Sequence, residues 1–180
     1  MNYRSALLSV SIILCSATSN AAELTDLKSK ADSQPITVSQ EKPPGHVSEL
    51  LLNALSLVGV KYKYGGSSPE TGLDCSGFVG HVFESAAGLV LPRTASEIST
   101  VGNKVTKSEL RPGDLVFFKT MRKAISHVGI YLGNNRFIHA SSSSTGSVLI
   151  SNMKESYWAK RFMTANRVDL SNPSSVKSAE

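Results

Sequence analysis

Cys75 stands where a polar, glycine-rich loop, Gly65-Gly66-Ser67-Ser68-Pro69-Glu70-Thr71-Gly72, gives way to a helical pattern beginning Ser76-Gly77-Phe78-Val79. A thiol at a helix start meets unpaired backbone N–H groups and the positive end of the helix dipole, which favour thiolate over thiol. Catalysis by such a sulfur needs an imidazole beside it and a third group to hold that imidazole in orientation. The chain offers His127 and His139, each inside a strand-like run.

Each of these residues also has a plainer reading. A lone cysteine is more often a small buried hydrophobe than a nucleophile, and a strand histidine is usually a satisfied structural residue. Cys75, His127 and His139 could together make an open metal site, but no nearby acidic or cysteine ligand completes a closed one. His46 and His81 are expected at the surface; His81 lies six positions past Cys75, off its helical face. Ser141 to Ser144 read as a solvated loop, since no G-x-S-x-G elbow is present to activate a serine.

The elements that must position these groups follow from periodicity. Val47, Leu50, Leu51, Ala54, Leu55 and Val58 share a helical face that Gly59 should terminate. Phe78, Val79, Val82, Phe83 and Ala86 repeat the pattern after Cys75, and Gly88 ends it. Leu91 to Leu110 is mixed, reading as a short helix and a turn. Strand patterns follow at Asp114–Phe118, Ser126–Leu132, Arg136–Ala140, Val148–Ile150 and Phe162–Val168. Helices first and strands after predict an α+β fold with an antiparallel sheet.

The hairpin between the two histidines imposes a condition. Side chains alternate along a strand, so a regular two-residue turn at Asn134-Asn135 would place His127 and His139 on opposite faces. A three-residue connection, Gly133 to Asn135 with Leu132 paired to Arg136, would bring them to one face, as would a bulge elsewhere. The catalytic reading therefore requires an odd shift here.

Composition bounds the rest. At 180 residues, 41% hydrophobic and 18% charged, the chain fits one globular domain with short extensions and shows no internal repeat. Residues 1–22 read as a signal peptide, with Arg4, the apolar run Ala6 to Leu14 and the small residues Ser19-Asn20-Ala21-Ala22. Acylation of Cys15 would be the lipid-anchored alternative, and Leu14 is larger than that reaction prefers. Cleavage would leave Cys75 as a single thiol in an oxidising periplasmic or extracellular space, with no disulfide partner. It would also remove Arg4 and no acid, taking the net charge from +5 to +4. The cations are scattered without interleaved aromatics, so nucleic acid is not an expected partner. Residues 23–45, with Pro35 and Pro43-Pro44, read as a linker, 46–168 as the domain and 169–180 as a tail.

Tyr62-Lys63-Tyr64-Gly65-Gly66, Leu73-Asp74-Cys75-Ser76-Gly77-Phe78-Val79, Leu91-Pro92-Arg93-Thr94, Pro112-Gly113-Asp114-Leu115-Val116-Phe117-Phe118, Ser126-His127-Val128-Gly129-Ile130-Tyr131-Leu132-Gly133 and Phe137-Ile138-His139-Ala140 occur in this order. Together they resemble the NlpC/P60 family of papain-like cysteine peptidases that cut bacterial cell-wall peptides. The resemblance implies Cys75 as nucleophile, His127 as general base and His139 as the orienting residue. It further implies that Tyr62 helps bind the oxyanion and that Asp74 and Ser76 support the nucleophile, with Asp74 fixing the helix start. Ile98 replaces a common Gln, a departure expected to alter the substrate groove, and Asn135 replaces a common Gly. No cofactor or metal is implied. The expected partners are peptidoglycan peptides and an envelope regulator of unspecified kind, with the protein itself a monomer. Cleavage of D-alanyl crosslinks between stem peptides is the expected reaction. Stem cleavage between D-glutamate and the diamino acid, a non-catalytic wall-binding module, and an acyltransferase or amidase are the alternatives.

Overall fold

The computed structural model describes residues 45–121, 125–142 and 146–171. The expected signal peptide, most of the linker and the last nine residues of the tail lie outside them. Among the described residues no helix is long and apolar enough to cross a membrane.

Helix α1 spans Gly45–Ser56, and β1 (Ser67–Ser68) and β2 (Gly72–Leu73) form a small ribbon before α2, Cys75–Ala87. There follow α3 (Ala95–Ile98), β3 (Asn103–Val105), a 3-10 turn at Lys107–Glu109, β4 (Leu115–Phe118), β5 (His127–Gly133), β6 (Arg136–Ala140), β7 (Val148–Asn152), α4 (Ser156–Ala159) and β8 (Phe162–Arg167). The main sheet has the order β3-β8-β4-β5-β6-β7 with every pairing antiparallel, which is the α+β architecture expected.

The sheet is buried on both faces at its centre, and this decides which residues each strand carries. Leu115 and Phe117 of β4, Val128 and Ile130 of β5, and Ile138 and Ala140 of β6 face one way. There they meet Phe78, Val79, Val82 and Phe83 of α2, with Leu50 and Ala54 of α1 behind. Val116, Phe118, Tyr131 and Phe137 face the other way, onto Met153 and Trp158. A strand covered on both sides must be apolar at every position, which is why β4 reads Leu-Val-Phe-Phe without alternation.

Helix α1 covers less than its pattern predicted. It stops at Ser56, and Leu55 and Val58 are exposed, because the chain turns away at Leu57 to Gly59 before the stripe is complete. The polar edge strand β3, the ribbon β1–β2 and the one-turn helix α4 had no periodic signal to announce them.

In the hairpin, Asn134 and Asn135 both adopt left-handed φ, of 52° and 60°. This is the two-residue turn that fits the twist of antiparallel strands, and short Asn side chains tolerate it. The three-residue connection is therefore not the one used. The odd shift comes instead from a bulge. Tyr131 pairs with Phe137 and Gly133 with Arg136, which leaves Leu132 as the extra residue. Below the bulge Ile130 pairs with Ile138, so His127 and His139 both belong to the Phe118–Phe137 face.

Candidate active site

Asp74 is the N-cap of α2 and sets the position of Cys75. Its backbone is extended, and its Oδ1 accepts the Gly77 N–H at 2.7 Å and the Ser76 hydroxyl at 3.1 Å. Its Oδ2 accepts the Gly65 N–H at 3.0 Å, tying the glycine-rich loop to the helix end. Gly77 has to lack a side chain, because a Cβ there would collide with the Gly66 carbonyl oxygen. Arg93 closes the cluster. Its guanidinium lies 2.6 Å from Asp74 Oδ2 and 3.1 Å from Oδ1, and it donates to Ser76 Oγ at 2.8 Å. Arg93 and the hydrogen bonds to Gly77 and Ser76 outweigh burial and hold the Asp74 carboxyl below its ordinary pKa.

The two histidines form a chain of hydrogen bonds. His127 Nε2 is 2.8 Å from His139 Nδ1, and His139 Nε2 is 3.0 Å from Ser151 Oγ on β7. The bonding pattern is compatible with the tautomers that a general base needs. If Ser151 accepts from His139 Nε2–H, then His139 Nδ1 is an acceptor and His127 carries its proton on Nε2. His127 Nδ1 is then a free lone pair, as a general base requires. The ring of Trp158 stacks on His127 at 5.5 Å and meets His139 edge-on at 4.9 Å, while Phe137 stacks on His139 at 4.7 Å. This aromatic enclosure excludes water from both imidazoles. Burial lowers the pKa of His127 to about 4; burial, and then the charge of His127, lowers that of His139 further.

Cys75 approaches this pair from the α2 side of the sheet. The Tyr131 N–H bonds to Asp114 O towards β4, so by alternation the Val128 N–H points towards β6. The β5–β6 ladder stops at Ile130–Ile138, which leaves the Val128 N–H near enough to Cys75 to pull its pKa down. The sulfur thus sits at the backbone of the residue following His127. Here the electrostatics differ from the helix-end expectation. Burial, and then the Asp74 carboxylate, raise the Cys75 pKa; backbone N–H groups of Val128, Ser76 and Cys75 oppose this more weakly. The resting pair is therefore a neutral thiol and a neutral imidazole, because a desolvated site penalises both charges. Tyr62 lies within electrostatic reach of Cys75. Its own pKa is raised, by burial first and by Cys75 second, so its hydroxyl keeps the proton it would donate.

Of the six residues singled out in the sequence, Asp74, Cys75 and Ser76 stand together at the start of α2 with Tyr62 in electrostatic reach, and His127 and His139 are bonded to each other on the hairpin. Three others were not assigned there. Arg93 was visible only as part of Leu-Pro-Arg-Thr; a cation in that segment beside a buried Asp N-cap is the signal that could have found it. Ser151 and Trp158 carry no motif, and their roles depend on β7 and α4 folding against the hairpin. Ile98 is fully buried in the core beneath α3, so it does not line a groove at all. Ser141 is buried, its N–H bonded to Ser147 O, and is not part of a solvated loop. His46 is exposed and His81 half-buried. Among the described residues no cluster of three or more His, Cys, Asp or Glu could hold a metal ion.

The chain is similar to the murein DD-endopeptidase MepS/murein LD-carboxypeptidase of Escherichia coli K12, at 51% identity over 110 residues, covering 61% of this chain and 56% of that protein. It is 46% identical over 113 residues to a gamma-DL-glutamyl hydrolase of Bacillus subtilis, covering 62% of this chain and 27% of the relative. This chain thus spans little more than half the length of the first relative and about a quarter of the second. A crystal structure from Staphylococcus aureus, described as similar to a lipoprotein of the NLP/P60 family, superposes with a TM-score of 0.62 at 34% identity, covering 68% of this chain and 41% of that one. The NlpC/P60 family model matches residues 59–167, the stretch that holds Tyr62, the Asp74–Ser76 helix start and both histidines, and the chain belongs to the NlpC/P60 family.

Proposed function

We propose that the protein is an exported cysteine endopeptidase that hydrolyses crosslinks between peptidoglycan stem peptides. One observation carries the reading: His127 is bonded to His139 at 2.8 Å through Nε2, which leaves Nδ1 as the nitrogen able to act as base, in the residue before the Val128 N–H that acts on Cys75. The similarity to a murein DD-endopeptidase supports the choice of bond. Export rests on the signal-peptide pattern of residues 1–22, and the site lies in the periplasm or outside the cell, on a protein that acts as a single protomer.

In this reading the Cys75 S–H proton passes to His127 Nδ1 as the sulfur attacks the scissile carbonyl carbon. The Cys75 N–H and the Tyr62 hydroxyl receive the oxyanion. His127 returns the proton to the departing amine, leaving a thioester on Cys75. Water, deprotonated by the same imidazole, then releases the carboxylic acid and regenerates the thiol. His139 carries no substrate; it holds His127 in the tautomer that can do both steps.

The test is digestion of purified crosslinked muropeptides, with products identified by mass. Release of monomers by the wild type and not by Cys75→Ala is the expected result. Crosslinked dimers left intact while stems are shortened between D-glutamate and the diamino acid would replace this reading with stem cleavage. Hydrolysis that survives in Cys75→Ala would overturn the cysteine mechanism.

A further inference from the structure

A second groove adjoins the histidine end of the site. It is lined by Lys119, Thr120, Met121, Lys160, Arg161 and Met163. We propose that this groove binds the free carboxylates of the peptide strand that departs as the amine, so that it selects an anionic leaving strand. The inference rests on the peptidase reading above and adds the chemistry of one side of its substrate.

Position comes first. Phe118 is the cross-strand partner of His127, and Lys119 is the next residue along β4's exit. Trp158 stacks on His127, and Lys160 and Arg161 follow it at the end of α4. The two walls are joined by the Lys119 N–H, which donates to Arg161 O at 2.8 Å. The turn on the Lys119 side is pinned by Ser126, the residue before His127, whose Oγ accepts from the Thr120 N–H at 2.9 Å and the Met121 N–H at 3.0 Å. A substrate whose acyl part lies over Cys75 and the Asp74–Ser76 cluster must send its amine part past His127, the group that protonates it. The groove lies on that side.

Charge comes second. Among the described residues no carboxylate lies within ion-pair distance of Lys119, Lys160 or Arg161; the two ion pairs found there are Arg93–Asp74 and Arg167–Asp114. Arg161 is already oriented, with its guanidinium 3.9 Å over the Tyr157 ring and Nη1 donating to Tyr157 O at 3.1 Å. The rest of its donor fork is left for a ligand. Met121 and Met163 are 62% and 48% exposed, and give the groove adaptable apolar flanks for the aliphatic part of a peptide. Another basic groove, lined by Lys104, Glu109, Arg111 and Arg167, lacks this character, since Arg167 is bonded to Asp114 at 2.7 and 2.8 Å and to Glu109 O. A stem peptide suits the first groove because its D-glutamate and diamino-acid residues carry carboxylates outside the main chain.

The experiment compares wild type with Lys119→Gln/Lys160→Gln in the full chain, on crosslinked muropeptide dimers with free or amidated carboxylates. On free carboxylates the variant should raise KM by about 5- to 20-fold, with kcat within about twofold and an unchanged thermal midpoint. Amidation should raise the wild-type KM by a similar factor, and the two losses should not multiply. Multiplying losses, or no change in KM, would overturn the groove. Binding of the same ligands to Cys75→Ala, by calorimetry, reads the groove even if the wild type cleaves neither bond, which would sink the peptidase reading separately. A variant that loses binding to anionic phospholipid vesicles while binding both muropeptide forms as before would make the groove a membrane contact and also overturn the proposal.

Discussion

His127 Nε2 and His139 Nδ1 meet at 2.8 Å across the β5–β6 hairpin, and they do so because Leu132 bulges. Their bond occupies Nε2 of His127 and leaves Nδ1 as its other ring nitrogen. His139→Ala should reduce kcat by about 10²–10⁴-fold with little change in KM. His139→Asn, which can still accept from His127 Nε2–H, should recover part of the loss. Ser151→Ala should lower kcat by a smaller factor, since His139 would then lose the hydroxyl partner of its Nε2. Steady-state kinetics on muropeptides would check all three, and equal rates for Ala and Asn at 139 would discount the orienting role.

Gly129 lies between the two histidines on their shared face. A Cβ there would stand 2.8 Å from Ile138 O and Phe137 Cδ2 and 3.1 Å from His139 Cβ. Gly129→Ala should therefore destabilise the fold by about 1–3 kcal/mol and displace His139. Urea unfolding gives the first effect, and a fall in kcat beyond what the unfolded fraction explains gives the second.

Both imidazoles are buried neutral, so their protonation opposes folding. The folded pKa of His127 is about 4, while an unfolded histidine titrates near 6.5. Between those values the unfolded chain binds a proton that the native one does not, so stability is full above about pH 6.5 and falls as the pH drops towards 4. His139, shifted in the same direction, steepens the loss. Thermal midpoints measured from pH 7.5 to 4 should show this decline, and His127→Gln should flatten it.

The raised Cys75 pKa gives a separate result in the alkaline range. Alkylation of Cys75 by iodoacetamide should keep accelerating as the pH rises towards and past 9. A rate already level from pH 6 would mark a preformed thiolate–imidazolium pair and contradict the neutral resting state.

Arg93 spans the Asp74 carboxylate and the Ser76 hydroxyl, and its side chain is 46% exposed while that of Asp74 is 11% exposed. Arg93→Ala should cost about 1–2 kcal/mol of stability after discounting for solvent screening. Lysine should not restore it, because a single ammonium cannot reach both carboxylate oxygens and Ser76 with the geometry of a guanidinium fork. Chemical denaturation of the three proteins would decide the matter.

The sequence by itself determined the local features. Asp74 before Cys75 and Gly88 after Ala87 are cap residues whose preferences are written in their own side chains and backbone, and α2 has the ends they specify. Helices before strands are enough to predict α+β, and the ordered motifs point to the family. What tertiary structure decided was anything that depends on a pairing between distant segments. The parity of His127 and His139 turns on one bulged residue, and Leu132 has no chemical mark that distinguishes it from any other strand leucine. The pKa of Cys75 runs opposite to what the helix end alone predicts, because burial and the nearby Asp74 carboxylate outweigh the local N–H groups. Trp158 and Ser151 reach the histidines only once α4 and β7 have packed, so the surroundings of both imidazoles come from the folded sheet and not from any local motif.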